Sequence, residues 1–242
     1  MPIDVDYDLL LTSAKASGAL LRSRFAGAGI NQALERDVKL AEDKQSEALV
    51  ADGLLSGSPW GIMSEEGGWL RERRADDDPY WVIDPLDGSY NFMRGMPLCA
   101  VSVAFCQGMQ PLAGAVYDFL RDELIHTGVE AGLFRNGAPI ARPEPAGPSA
   151  LSTGIPAATR SNAEAAAKNA ESLNGWGKVR MLGSAALSLS WVAQGKLDGY
   201  RETGIRWWDV AGGLAVVQAA GGKFSVGEGD MWSPLEVEAT GR

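Results

Sequence analysis

Between residues 4 and 25 the apolar positions Val5, Leu9, Leu10, Ala16, Leu20, Leu21 and Phe25 recur at roughly helical spacing. They predict one amphipathic helix, broken by Gly27, Gly29 and Asn31. Residues 30–43 are polar and mixed and predict a strand or mobile flap leading to Asp43. A second helix follows over 43–57 and ends near Gly57-Ser58-Pro59. Trp60-Gly61-Ile62-Met63 predicts a buried strand ending in Ser64-Glu65-Glu66-Gly67-Gly68, and the RERRADDDP run after it a solvated loop. Trp81-Val82-Ile83 is a short β-type run that Asp84-Pro85-Leu86-Asp87-Gly88 stops, before Ser89-Tyr90-Asn91-Phe92 opens a helix. Strands at 98–107, 111–119 and 122–127 then form an antiparallel meander, with Asn136-Gly137 as a hairpin signal.

The pattern changes after the Pro-rich connection 142–149, the best internal boundary in the chain. Beyond it strand and helix alternate. Strands are predicted at 150–155, 178–182 and 197–202, with helices at 161–174, 184–194 (capped by Ser184) and 208–220 (ended by Gly221-Gly222). A strand near 235–240 closes the tail without a terminal helix. The expectation is a single domain over 1–242, with a strand-rich part at 1–145 and a smaller α/β part at 146–242.

Composition narrows the class more than the chemistry. A chain of 242 residues, 45% hydrophobic and 22% charged, has the make-up of a soluble globular protein with a substantial core. The formal charge of −9 argues against a nucleic-acid polymer as partner, since phosphate backbones demand a basic face. It leaves room for a small phosphorylated substrate, because bound metal ions can invert the field of an acidic pocket. The N-terminus has no basic stretch of signal-peptide type and no apolar run reaches membrane-spanning length, so the chain is expected to be cytoplasmic and off the membrane. Cys99 and Cys106 have no metal spacing and read as buried free thiols, which suits a reducing compartment. His126, the lone histidine, falls in the meander and reads as structural or exposed.

Three acidic stretches carry the candidate chemistry. In Asp84-Pro85-Leu86-Asp87-Gly88 the proline fixes φ and lacks an N–H, so a turn there can aim two carboxylates and a carbonyl at one point. Hard cations such as Mg²⁺ take that oxygen set. Gly88 allows close backbone approach, and the N–H groups of the following helix start suit an anion. The same residues also make an ordinary solvated turn. Glu65-Glu66 at a strand end is either exposed trim or a metal site. Asp209, in Trp207-Trp208-Asp209-Val210-Ala211, is either a helix-capping carboxylate or a ligand.

Taken together the stretches resemble the inositol monophosphatase family of metal-dependent phosphatases. WVIDPLDGSYNF at 81–92 is similar to its DP(I/L)DGT signature, SEE at 64–66 to its GEE element, and WWDVAGGLAVVQAAGG at 207–222 to its C-terminal WDVAAG signature. GSAALSLSWVAQGKLDGYRE at 183–202 resembles the segment preceding that signature, and the motifs keep their order over residues 5–240. The resemblance implies a layered α-β-α-β-α sandwich, the α/β architecture shared with fructose-1,6-bisphosphatase. Its large, mostly antiparallel sheet would lie in the first half, with a cleft between the halves.

The resemblance also implies roles. Glu65, Asp84 and the Leu86 carbonyl would hold one Mg²⁺, and Asp84, Asp87 and Asp209 a second. A third, weaker ion bound through the flap in some members has a poor match in residues 28–42. One ion would make hydroxide available at neutral pH and the other would stabilise the leaving oxygen. Asp43 with Ser89, assisted by Glu65, would orient the water, and backbone N–H groups of Gly88 and Ser89 would hold the phosphate. Glu202, seven residues before Asp209, would bind substrate hydroxyls, with Gly183, Ser184 and Ala185 contacting the same ring. Departures from the family pattern are Ser89 for the usual Thr, Ser64 for Gly, and Lys39 and Lys44 beside Asp43, which face either a second phosphate or solvent. The implied protein is a Li⁺-sensitive, homodimeric phosphatase of a small polyol or sugar phosphate such as inositol 1-phosphate. Its rivals are a sugar bisphosphatase, a histidinol-phosphate phosphatase, a 3′-phosphoadenosine 5′-phosphate phosphatase and a catalytically silent phosphate-binding regulator.

Overall fold

Alternation along two central strands sets the architecture. In β5 (Tyr80–Asp87) the side chains of Tyr80 and Val82 enter one apolar cluster, and those of Trp81 and Ile83 enter another. In β6 (Ala100–Gln107) Ala104 and Cys106 point to the first cluster, and Val101, Val103 and Phe105 to the second. A sheet apolar on both faces must be covered on both. The computed structural model shows how; it describes residues 4–25, 30–33, 38–144, 146–155, 159 and 161–241, with 30–33, 38 and 39 described by backbone alone.

The central sheet has eight strands in the order β10-β9-β8-β7-β6-β5-β3-β4. The strands not yet introduced are β3 (Gly61–Ser64), β4 (Gly68–Arg71), β7 (Gln110–Asp118), β8 (Glu123–Thr127), β9 (Leu133–Arg135) and β10 (Ala138–Ile140). All neighbours are antiparallel except β3 and β5. Helices α1 (Tyr7–Lys15), α2 (Gly18–Arg24) and α3 (Ala41–Gly57) cover one face. The other carries α6 (Ala185–Ala193) and α7 (Trp207–Ala219). Both are apolar nearly all round, as helices enclosed on every side must be. Their outer side packs on a second sheet of β11 (Ala150–Thr153), β12 (Lys178–Arg180), β13 (Gly199–Ile205), β14 (Lys223–Val226) and β15 (Leu235–Thr240). Its order is β12-β11-β13-β15-β14, parallel through the first three strands and antiparallel beyond. Helix α5 (Ala163–Ser172) lies over the far face, where Ala165 and Ser172 share a small cavity with Arg201 and Thr203. The expected α-β-α-β-α layering is present.

Glycines set the closest contact between layers. A Cβ on Gly212 of α7 would meet Ser102 Oγ and Val103 O of β6, and one on Gly114 of β7 would meet Gly212 O at 2.7 Å. Helix α7 therefore sits directly on the central sheet. On its other side Gly213 admits Leu189 of α6.

Several sequence expectations are corrected. The first helix is two, because the chain turns at Ala16-Ser17 so that Gly18 meets the Tyr117 ring and Arg22 donates to Phe119 O at 2.9 Å. Strand β5 does not stop at Asp84 but runs to Asp87, absorbing one extra residue where Asp84 pairs Ser102 and Asp87 pairs Ala100. Pro85, which lacks a ladder donor, is accommodated in that bulge. The second helix begins at Ala41, so Asp43 lies inside its first turn. Strands β4 and β14 were not anticipated. Of the expected flap, short strands β1 (Ile30–Ala33) and β2 (Val38–Leu40) pair with each other, while residues 26–29 and 34–37 lie outside the described residues. Among the described residues no helix is long and apolar enough to cross a membrane.

Candidate active site

Strand pairing brings the first two carboxylates together. Ser64 of β3 is in register with Ile83 of β5, and the Glu65 N–H donates to Ile83 O at 3.1 Å. Carrying the parallel ladder one residue further sets Glu65 beside Asp84. Asp84 is buried, and one of its oxygens accepts the Leu86 N–H at 3.1 Å, which tightens the bulge around Pro85. From below, Ser46 of α3 donates to Pro85 O at 2.6 Å.

Two further carboxylates occupy the same position in different helices. Asp43, third residue of α3, accepts the Leu40 N–H at 2.6 Å, and Asp209, third of α7, accepts the Arg206 N–H at 2.9 Å. A carboxylate one turn into a helix satisfies an orphan donor and complements the dipole. The helix-capping reading of Asp209 therefore holds, Asp43 plays the same part in α3, and these bonds fix each side chain for a further task. The other Asp43 oxygen accepts from Ser89 Oγ at 3.2 Å, and that hydroxyl also lies 3.0 Å from Leu86 O. The expected Asp43–Ser89 pair is present. Asp209 reaches across from the second half of the chain. Ligand oxygens of Glu65, Asp84 and Asp209 lie within 4.8 Å of one another.

Asp87 sits slightly apart from this cluster. One of its oxygens accepts Ser184 Oγ at 2.5 Å and the Ala186 N–H at 2.7 Å, both at the N-terminus of α6. Gly88, at φ 87°, follows immediately, and a Cβ there would strike Leu98 O and approach Gly183 O. Asn91 then donates to Leu98 O at 2.7 Å and Leu182 O at 2.8 Å, joining the DPLDG turn to the second half of the chain.

Glu65, Asp84, Asp87, Gly88, Ser89 and Asp209 form the floor of a cleft of about 780 Å³. Gly183, Ser184, Ala185 and Glu202 also line it, and Glu202 accepts the Tyr200 hydroxyl at 2.9 Å. Gly154 makes room for that carboxylate, with which any Cβ would collide. Among the described residues the pocket is lined by five carboxylates and one cation, Arg206.

Burial, reinforced by the neighbouring carboxylates, pushes Asp84 and Asp209 well above the usual carboxylate range. Burial also raises Asp87, to about 7, against the lowering effect of its bonds from Ser184 and Ala186. Such a hard-oxygen cluster, costly to ionise when bare, fits a divalent cation.

An aromatic bracket lies beside Glu65 and Asp209. Trp69 of β4, just past the Glu65 turn, and Trp208, next to Asp209, both pack edge-on to Trp232, with centroids 6.2 and 6.1 Å away. Asp230 shapes the Trp232 loop by accepting the Trp232 and Ser233 N–H groups, and Arg206 donates to Trp232 O at 2.5 Å. Neither the role of Asn91 nor this bracket is visible in the sequence. Both work through residues distant along the chain, and an isolated Asn or Trp carries no spacing signal. Lys44 is exposed and Lys39's side chain lies outside the described residues. His126 is structural: it stacks on Phe134, and the Gly137 N–H donates to its Nε2 at 3.1 Å.

Fold and floor together define a layered α/β enzyme with an acidic, cation-sized cluster in a cleft between its two sheets. The family model described as "Inositol monophosphatase family" matches residues 4–240, and the chain belongs to that family. Members are phosphatases that hydrolyse phosphoric monoesters, and the chain is an enzyme of that kind. It is 35% identical over 222 residues to a "Nus factor SuhB" of Xylella fastidiosa, covering 89% of this chain and 79% of that one. To an "Inositol-1-monophosphatase" of Mesorhizobium japonicum it is 37% identical over 194 residues, covering 76% and 70%. The solved inositol monophosphatase from Anabaena superimposes with a TM-score of 0.79 at 30% identity, covering 97% of this chain and 89% of that one.

Proposed function

We propose that this enzyme is a Mg²⁺-dependent phosphomonoesterase of a small polyol phosphate, with inositol 1-phosphate the first substrate to try. The observation that carries the reading is the convergence of Glu65, Asp84 and Asp209 from both halves of the chain onto one cation-sized spot. Glu65, Asp84 and the Leu86 carbonyl would hold one ion, and Asp84, Asp87 and Asp209 another. Bound divalent ions supply Lewis acidity and lower the pKa of water.

The protein's own groups orient the reaction. Ser89 Oγ donates to Asp43, which leaves its lone pairs to accept a hydrogen bond from the attacking water. Glu65 stands on the same floor as the proton acceptor. Gly88 and Ser89 offer backbone N–H groups to phosphate oxygens, and Glu202 accepts from substrate hydroxyls. Tyr200, whose phenol is held protonated by burial and by Glu202, keeps that carboxylate in place. A serine in place of the usual threonine at 89 keeps the hydroxyl on which this depends. Homodimerisation, Li⁺ sensitivity and a cytoplasmic location belong to the same proposal. The buried free thiols of Cys99 and Cys106 suit a reducing compartment.

The test is phosphate release, with Mg²⁺, from inositol 1-phosphate, fructose 1,6-bisphosphate, histidinol phosphate and 3′-phosphoadenosine 5′-phosphate. Turnover of inositol 1-phosphate that Glu202→Ala loses, while Mg²⁺ still raises the melting temperature, supports the polyol reading. Preference for another ester replaces the substrate and keeps the chemistry. A second reading is a catalytically silent regulator whose cleft binds phosphates without turnover. It gains ground only if all four esters stay intact in the presence of bound Mg²⁺.

A further inference from the structure

The floor of the cleft uses only part of its space. A volume of about 780 Å³ is that of a pocket for a drug-sized ligand, larger than a phosphate and a single polyol ring require. The mouth is built from a different kind of residue. Tyr90, Ile155 and Met181 all line it, and they are 53%, 48% and 63% exposed. One exposed apolar side chain needs no explanation, but several converging at a functional cleft do. These come from three places: helix α4 (Ser89–Met93), the end of β11 and the end of β12.

The convergence is held in place. Asn91, next to Tyr90, donates to the carbonyl of Leu182, next to Met181, at 2.8 Å, so one buried amide joins the two segments. On the opposite side Gly154, next to Ile155, gives way to the Glu202 carboxylate. Ile155 therefore borders the residue assigned to substrate hydroxyls. Charge points the same way. Among the described lining residues Arg206 is the single cation, and its guanidinium donates to Trp232 O. A second phosphate at the mouth would meet Arg206 as the single cation among these described residues and would face Glu202.

We propose that the mouth is an apolar subsite for the leaving alcohol, so that the preferred substrate carries a planar or apolar group beyond its phosphate and hydroxyl-bearing carbons. The proposal rests on the phosphatase reading and deepens it: Glu202 reads hydroxyls, while Tyr90, Met181 and Ile155 cover the apolar end. It disfavours sugar bisphosphates. Tyr90 and Met181 are specificity residues that touch substrate away from the reacting atoms.

Calorimetric binding of two non-hydrolysable ligands, propylphosphonate and 3-phenylpropylphosphonate, in saturating Mg²⁺ tests it without relying on turnover. The phenyl compound is expected to bind about tenfold more tightly or better, the order of effect of one apolar group in a pocket. The Tyr90→Ala/Met181→Ala double variant should bring that ratio close to one, whereas Tyr90→Phe should keep it, since the ring rather than the hydroxyl makes the contact. Equal affinities in the wild type, no binding of either compound, or a ratio indifferent to the double variant would each overturn the subsite. Phosphate release from inositol 1-phosphate, run in parallel, separates this from the parent reading. Lost turnover with an intact binding ratio strikes the phosphatase proposal alone.

Discussion

The floor and the mouth of one cleft are built on opposite terms. Asp84, Asp87 and Asp209 are held by main-chain donors in a bulge, at a helix N-terminus or one turn into a helix, and their mutual repulsion is accepted as a cost. Tyr90, Ile155 and Met181 stand in solvent on a short helix and two strand ends. The floor concentrates charge where a cation will offset it, at the expense of the metal-free protein. The mouth exposes apolar surface and stores almost no electrostatic strain. Catalytic chemistry needs geometry fixed against repulsion, while selectivity needs only surface of the right character near the fixed point.

The sharpest way to break the contrast is to neutralise the floor. Asp84→Asn should lower kcat by on the order of 10³ or more, since it removes the carboxylate at the centre of the cluster. The same change should stabilise the metal-free protein at pH 8. The sign follows from linkage. Asp87 rises from 3.8 to about 7 on folding, and Asp84 and Asp209 shift the same way, so the folded state holds protons that the unfolded chain has released. Their stabilising contribution is fully present below about pH 4 and is lost as pH rises towards and through 7. Urea melts in EDTA across this range should show the wild type weakening and the variant weakening less; a parallel loss in both would refute the charge argument.

A smaller effect tests the bracket between the halves. Trp232→Ala should weaken Mg²⁺ binding about tenfold, within the range for residues that support ligands from behind. Trp232→Phe should retain most of the affinity, and calorimetry distinguishes the two. Gly212→Ala should cost about 1–3 kcal/mol by forcing α7 off the central sheet, visible as a lower denaturation midpoint. At the far end of the scale, Lys44→Ala should change stability by less than about 0.5 kcal/mol and leave activity alone, because Lys44 is exposed. A clear loss of phosphate release there would restore the view that it binds a second phosphate.

The floor was legible because its residues are local. DPLDG, the acidic pair after a strand and WWD at a helix start each pack chemistry into a few neighbouring positions, and each has a secondary-structure reason to point where it does. Their family resemblance then supplied the layered fold and the joint site. What sequence hid was cooperation at long range. Asn91 meets Leu182 across 91 positions, and Trp232 meets Trp69 of the first half of the chain as well as Trp208 of its own. Strands β4 and β14 span four residues each, too few for a period to show. The break at Ala16-Ser17 answers to Tyr117 on a distant strand. The bulge at Pro85 reads in the sequence as a strand end, because a proline usually marks one.

The most direct trial of the central claim is phosphate release from inositol 1-phosphate with and without Mg²⁺, alongside Asp87→Asn. Turnover that requires Mg²⁺ and vanishes in the variant is the predicted result. Turnover that persists in EDTA, or survives undiminished in Asp87→Asn, would contradict a metal-built floor as the seat of catalysis.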